Sequence, residues 1–503
     1  MTLPDAAARD RVTREIAETL FVEAAAGAGK TTALVGRIVA LVAGGMPIDR
    51  IAAITFTEKA AAELTDRVRE RLERAAAGDG EYAGLDLEER ERCRAAIAGL
   101  DGASFQTIHA FARKLLAAHP VQAGLPPEFD VLDGTEEELE LREAVRRFLD
   151  DVEQSDATRT AVMTAYTLGL QPRHLRGLAR EFARNWDRLR GATFEPPASE
   201  RDWEPPLRRL LDGVNRDGQS DSFQPAFDRL QEVAGRLEQA YGQVQAASAR
   251  EREARLAGLL TLAARVKIPL NAGRKGTFRP VGEGWDAWLG EVRRWALERV
   301  LPAVQTFALD YADERRRRGR LTFHDLLVLT TDLLRNDAAA RRAVHGQFGQ
   351  VLIDEFQDTD PLQVELAALI AADPGQPADW RATTVAPGRL FFVGDPKQSI
   401  YRFRRADIRI YEQAKGAFGA QELQLVTNFR SAQTVITWVN GVCRRMFEAH
   451  EAPVQAGWID LEARPGAPPG EPVRVFGGLV GGAGAAEVQE REAAEIALGV
   501  LQA

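Results

Sequence analysis

An α/β fold built on a parallel sheet is predicted by three observations. Short apolar runs at Leu20-Phe21-Val22, Ile51 to Phe56, Val351-Leu352-Ile353, Leu390-Phe391-Phe392-Val393 and Leu423 to Val426 read as buried strands. Helical periodicity follows the first two, over Thr31 to Ala43 and from Lys59 onward. Between the first strand and its helix lies a loop of small residues, as a tight strand-to-helix turn requires.

Composition bounds the class. At 503 residues the chain is too long for one ordinary domain, and three or four are expected. A hydrophobic fraction of 45% with 28% charged residues is that of a soluble globular protein. No stretch approaches the roughly 20 uninterrupted apolar residues of a membrane helix. The N-terminus lacks a basic segment followed by an apolar one, which argues against secretion. Only Cys93 and Cys443 occur, far apart, so a reducing, cytoplasmic setting is expected and cysteine-ligated metal is not. A net charge of −9 excludes a globally basic nucleic-acid protein but leaves room for a local cationic groove.

Along the chain, Glu63, Arg67 and Arg71 fall at i, i+4 and i+8 and predict a solvated helix face. From about Arg113 to Ala340 strand signals nearly vanish, and charged helical patterns dominate, as at Glu136 to Asp150 and Phe227 to Ala264. Breaks rich in Pro and Gly punctuate them near Pro196 to Pro206 and Asn271 to Glu283. This region reads as a helical domain inserted into the α/β one. Within it the run Arg315-Arg316-Arg317-Arg318 is either a solvated helix face or a phosphate-contacting patch. Strand signals then return. The last fifty or so residues are rich in Gly, Pro and Ala, with a helix-like segment from Ala486 that carries no helix-ending signal, as if the architecture continued.

The chemistry begins at Ala24-Ala25-Ala26-Gly27-Ala28-Gly29-Lys30-Thr31. This matches an eight-residue phosphate-binding loop except that Ala24 replaces the first glycine. Gly27 and Gly29 let consecutive backbone N–H groups converge on phosphate oxygens, and the helix starting near Lys30 adds its positive dipole end. Lys30 suits the β- and γ-oxygens, and the Thr31 hydroxyl suits Mg²⁺. Val351-Leu352-Ile353-Asp354-Glu355 is a strand ending in two carboxylates. Asp354 is placed to bind magnesium, and Glu355 to orient and deprotonate an attacking water.

The continuation Phe356-Gln357-Asp358-Thr359 makes D-E-F-Q-D-T, which resembles motif II of the superfamily 1 DNA helicases of the UvrD/Rep type. Further blocks resemble the same family in the same order: Thr55 to Ala61 its motif Ia, Thr107 to Phe111 its T-x-H-x-F block, Val393 to Arg404 its motif III, and Asn428 to Ser431 its motif IV. The phrase E-A-A-A-G-A-G-K-T and the helical insertion look most like the RecB/AddA branch. The resemblance implies a RecA-like motor domain from residues 1–112 and 341–415, a helical insertion over 113–340, and the start of a second RecA-like domain over 416–503. It implies that Gln398 senses the γ-phosphate, that Arg430 reaches it as an arginine finger from the second domain, and that Phe429 stacks on adenine. On the DNA side it implies Phe56, Thr57, His109, Phe403 and Arg404. ATP and Mg²⁺ are the implied cofactors. The implied partners are single-stranded DNA, its junctions with duplex, and a RecC/AddB-like subunit.

Two departures bear on nucleotide choice. The family's upstream Gln is missing from Asp5 to Arg11, and Thr32 stands where UvrD-type members carry Arg. Blocks resembling motifs V and VI, or a nuclease-like acidic cluster, are also missing after Arg430. The expectation is a 3′–5′ DNA helicase represented by its N-terminal part, with little unwinding by these residues alone. The alternatives are a nucleotide-dependent DNA-binding or assembly module and, disfavoured by the D-E-F-Q-D and Q-S-I-Y blocks, a small-molecule kinase.

Overall fold

A computed structural model describes residues 3–195, 203–377, 379–400, 408–448, 456–470, 473 and 484–501. The chain forms two compact units, one from Met1–Ala123 with Leu326–Ala503 and the other from Gly124–Asp325. The strands are β1 (Leu20–Ala24), β2 (Ile51–Thr55), β3 (Ser104–Thr107), β4 (Asp130–Val131), β5 (Arg320–Leu321), β6 (Gln350–Ile353), β7 (Leu390–Gly394), β8 (Gln421–Leu425), β9 (Thr427–Asn428) and β10 (Glu462–Ala463).

In the first unit six strands make one parallel sheet in the order β3-β2-β6-β7-β1-β8. Central strands β2, β6 and β7 are buried along their whole length, which is why they read as unbroken apolar runs. Around them pack α1 (Ala6–Arg14), α2 (Lys30–Ala43), α3 (Glu58–Ala77), α4 (Leu87–Gly99) and α5 (Ile108–Ala118), among others. Thr57 and Thr107 cap α3 and α5 by accepting from Ala60 N and Ala110 N, so each helix starts directly behind its strand. The face of α3 is solvated at Arg67 and Glu63, paired at 3.9 Å and half exposed, whereas Arg71 is partly buried against Glu81 and Tyr82.

The N-terminal helix is held by a buried cation. Arg37 on α2 is 0% exposed and donates to the carbonyls of Val12, Glu15, Ile16 and Glu18. Burial lowers its pKa to about 10, so it stays charged at neutral pH. The Val12 carbonyl in the last turn of α1, and three carbonyls of the segment that follows it, thereby gain donors that the helix itself cannot supply.

Strand β8 corrects one boundary. The sequence reading assigns 416–503 to a second motor domain, yet Gln421–Leu425 pairs in parallel with β1 as the sixth strand of the central sheet. A strand's membership depends on which edge it meets, which its own pattern does not encode. Beyond it, β9 and β10 form a separate parallel pair, followed in space by helix Gln433–Met446.

Among its described residues, the regular structure of the second unit is helical apart from the short β4–β5 pair. It spans 124–325, narrower than the 113–340 read from sequence, because α5 and most of helix Phe323–Asn336 belong to the first unit. Its core centres on Trp285, Trp295, Phe278, Phe223 and Leu237. The single pattern read over Phe227 to Ala264 is two helices, Phe223–Gln245 and Ala249–Ala264, broken where Ser248 adopts an extended backbone.

The arginine run is neither a uniformly solvated face nor a free phosphate patch. Arg315 is buried and grips Asp325 through two bonds of 2.8 Å, while Trp186 Nε1 and Thr322 N also donate to that carboxylate. Arg316 and Arg317 pair with Asp313, and Arg318 with Glu314. Burial alone would raise the Asp325 carboxyl; the Arg315 guanidinium outweighs it and holds the group below its ordinary range. We therefore expect Asp325→Asn to cost about 3–5 kcal/mol in urea denaturation, since it strands a buried guanidinium. Arg317→Ala, on the exposed side of the same helix, should change stability by no more than about 0.5 kcal/mol.

Candidate nucleotide site

The phosphate loop is a tight connection between β1 and α2. Ala24, Ala25 and Ala28 are at most 3% exposed, so the methyl of Ala24 fills core space where the usual pattern has glycine. Gly27 and Gly29 have φ of 70° and 85°, a left-handed backbone that glycine adopts without strain. Gly27 is also a close approach: a Cβ there would stand 2.7 Å from Asn428 Nδ2.

The segment after β8 lies against this loop. Asn428 Nδ2 donates to Ala26 O at 2.7 Å, and Phe429 N donates to Gly27 O at 3.0 Å. The Asn428 carboxamide oxygen accepts from Arg430 N and Ser431 N at 2.9 and 2.8 Å. Arg430 Cβ is 3.1 Å from where a Gly27 Cβ would be. The backbone and Cβ of Arg430 thus lie against the phosphate loop, within the same compact unit. Phe429 is 43% exposed, so it is not a core aromatic.

Strand β6 delivers the carboxylates, with β7 standing between it and β1. Asp354 N donates to Ile54 O, fixing the strand end. Glu355 has φ 52°, the one non-glycine residue with positive φ among the described residues, and such strain collects at functional sites. Its carboxylate forms an ion pair with Lys30 Nζ. Phe356 anchors this turn in the core, its ring 4.5 Å from that of Phe392 and 5.3 Å from that of Phe21.

A chain of hydrogen bonds connects Glu355 to the end of β7. Gln357 Nε2 donates to Glu355 at 2.8 Å, Asp395 N donates to Gln357 Oε1 at 2.9 Å, and Gln398 Nε2 donates to Asp395 at 2.7 Å. Gly394 permits this, since a Cβ there would lie 2.6 Å from Gln357 Oε1. Lys397 is buried between Glu23 and Asp395 at 2.5 and 3.0 Å. Gln357, Asp395 and Asn428 were not singled out from sequence. All three sit inside recognised blocks, but partners of each lie far along the chain.

Thr31, in the first turn of α2, and Asp354 are the candidate magnesium ligands. Both offer hard oxygens, and Mg²⁺ is commonly held by one or two protein oxygens plus substrate phosphates. Among the described residues no group of three or more His, Cys, Asp or Glu could hold a metal ion. Asp354 also fits electrostatically, because burial and then the Glu355 charge push its carboxyl up to about 6, a penalty that a bound cation would relieve.

Of the DNA candidates, Phe56 and Thr57 follow β2, and His109 lies in α5 behind β3. Thr55 and Thr107 are in register, and Thr107 Oγ1 donates to Glu58 at 2.7 Å, so the two loops share the carboxyl edge of the sheet. The phosphate loop opens on that same edge, where α/β proteins bind ligands. Phe403 and Arg404 lie outside the described residues.

The raised carboxyl of Asp354 has a stability consequence. Between pH 3.8 and about 6 the folded chain binds a proton that the unfolded chain releases. Stability from this group therefore falls as pH rises through that window, and above it the full penalty remains, on the order of 2–3 kcal/mol. Thermal melts without nucleotide should show Asp354→Asn several degrees more stable than wild type at pH 7.5, with the gap shrinking toward pH 4.

Residues 5–419 match the UvrD/REP helicase N-terminal domain. Among curated proteins the chain is similar to an ATP-dependent helicase/nuclease subunit of Pediococcus pentosaceus, 24% identical over 87% of this chain and 38% of that protein. It is similar to proteins of the same name from Desulforudis audaxviator, 28% identical over 85% and 39%, and Geobacillus thermodenitrificans, 28% identical over 84% and 38%. The chain thus spans about two fifths of these relatives' length. With its parallel sheet, phosphate loop and acidic strand end, this chain belongs to the UvrD/REP helicase family.

Proposed function

We propose that the chain is the ATP-hydrolysing part of a 3′–5′ DNA translocase and helicase of repair or recombination, with hydrolysis coupled to movement on single-stranded DNA. The observation that carries this reading is the Lys30–Glu355 ion pair, which brings phosphate loop and acidic strand end together across β7. Family membership and the relatives' shared name support the helicase part; polarity rests on the resemblance alone. The word "subunit" in that name supports a partner chain, and a cytoplasmic location follows from the same reading.

The chain's own groups suggest the order of events. An incoming triphosphate is the stronger anion and takes Lys30 from Glu355. The freed carboxylate then orients an attacking water and accepts its proton, while Gln357 keeps it aimed. Bound Mg²⁺ would supply charge neutralisation at the phosphates, held by Thr31 and Asp354. Arg430, beside Gly27, is placed to stabilise charge on the transferring group. Gln398, hydrogen-bonded to Asp395, relays the nucleotide state toward the segment after β7. Phe56, Thr57, His109, Phe403 and Arg404 are the proposed contacts to unpaired DNA, with stacking contributing about 1–3 kcal/mol per base.

Steady-state ATPase with and without single-stranded DNA tests this. Turnover should rise on adding DNA, and Lys30→Ala and Glu355→Gln should each lower it by about 10²–10³-fold. Turnover indifferent to DNA would sink the motor reading. In a strand-displacement assay these 503 residues should separate little or no duplex, because blocks like motifs V and VI are missing from them.

A further inference from the structure

We infer that Glu23, on the strand that leads into the phosphate loop, is a positioning residue: through Lys397 and Asp395 it aims the Gln398 carboxamide; this rests on the motor reading above. Glu23 is out of place in its strand. The rest of β1, Leu20, Phe21, Val22 and Ala24, is buried and apolar, as a strand inside a parallel sheet should be. A carboxylate there costs free energy unless it is paired. Its partner is Lys397, whose ammonium lies 2.5 Å from Glu23 and 3.0 Å from Asp395, with its side chain only 5% exposed. The sheet does not need this pair to hold together, because β1 and β7 already run in register from Leu20 to Glu23 against Phe391 to Gly394.

Asp395 divides its carboxylate between two neighbours. Its Oδ1 accepts from Lys397 N at 3.1 Å and faces Lys397 Nζ, while its Oδ2 accepts from Gln398 Nε2 at 2.7 Å. Gln398 N also donates to Asp395 O at 2.9 Å, so one residue sets both the backbone and the side chain of Gln398. The Asp395 side chain is buried whereas Gln398 is exposed, and the network therefore ends in a carboxamide presented at the carboxyl edge of the sheet. With one N–H held by Asp395, the second N–H and the oxygen have fixed directions. The Lys397 charge is shared between two carboxylates. Without Glu23 it would fall wholly on Asp395, draw that carboxylate toward the ammonium and loosen the bond to Gln398. Glu23 is followed directly by the phosphate loop, so this route connects loop and glutamine, meeting at Asp395 the one that runs from Glu355 through Gln357.

Glu23→Gln keeps the shape of the side chain and leaves Lys397 against Asp395 as a balanced pair, so it should fold. Steady-state ATPase with and without oligothymidylate is compared for wild type, Glu23→Gln, Gln398→Ala and the double variant, with Mg-ATP affinity from titration calorimetry. Glu23→Gln should lower the DNA-stimulated kcat about tenfold or more, while KM and Mg-ATP affinity stay within about twofold. In the Gln398→Ala background the same change should lower kcat by no more than about twofold, because its effect passes through the missing carboxamide. Glu23→Asp keeps the charge but withdraws it from Lys397 by one methylene. It should show the same pattern and serves if Glu23→Gln does not fold. An equal loss in both backgrounds, a Mg-ATP affinity that falls along with kcat, or an unchanged DNA-stimulated kcat would each overturn the positioning role. A wild type whose turnover ignores DNA removes the motor reading itself, and this inference with it.

Discussion

The carboxamide of Asn428 donates to Ala26 and accepts from Arg430 and Ser431, and much of the site depends on that one side chain. It joins a loop near residue 27 to a turn about four hundred residues later. Two backbones can approach that closely only where one has no side chain, which is the role of Gly27. Through it Phe429 and Arg430 are brought onto the phosphate loop. Through β8, the same stretch of chain completes the central sheet beside β1. Sheet edge and site wall are therefore one structural feature.

The electrostatics of the site concentrate buried negative charge. Asp354 and Asp358 both have carboxyls raised to about 6 by burial and by Glu355. Lys30 offsets part of that negative charge by pairing with Glu355. A triphosphate would add anionic charge and compete for the lysine, so nucleotide without a divalent cation fits this cluster poorly. Glu355 also sits on strained backbone, held there by Phe356 in the core and Gln357 beneath the carboxylate. Strain and raised carboxyls are maintained by the central strands β2, β6 and β7, which are buried along their whole length.

The helical unit uses charge differently. Every arginine of its run is ion-paired, two of them sharing Asp313, and one member is sunk into the core against Asp325. Such a pair adds little net stability compared with apolar packing, but once built it cannot lose either partner cheaply. It fixes the end of helix Leu301–Arg318 to the turn that starts helix Phe323–Asn336.

The α/β class, the phosphate loop and the acidic strand end were legible in the sequence because each is written in contiguous residues. Gly27, Gly29, Lys30 and Thr31 are recognised by their spacing within one turn, and Asp354 and Glu355 by their place at the end of one apolar strand. Strand β8, the pairing of Arg315 and the Glu23–Lys397 pair were not legible. Each depends on which distant segment lies opposite, and local pattern carries no record of that. Glu23 and Lys397 lie 374 residues apart, and Arg315 reads like its three arginine neighbours. Sequence by itself determined which backbone could form the loop and which side chains carried charge. Only the tertiary structure decided which charges were buried and which carboxylate met which cation, because burial and partner are properties of packing between segments rather than of the segments themselves.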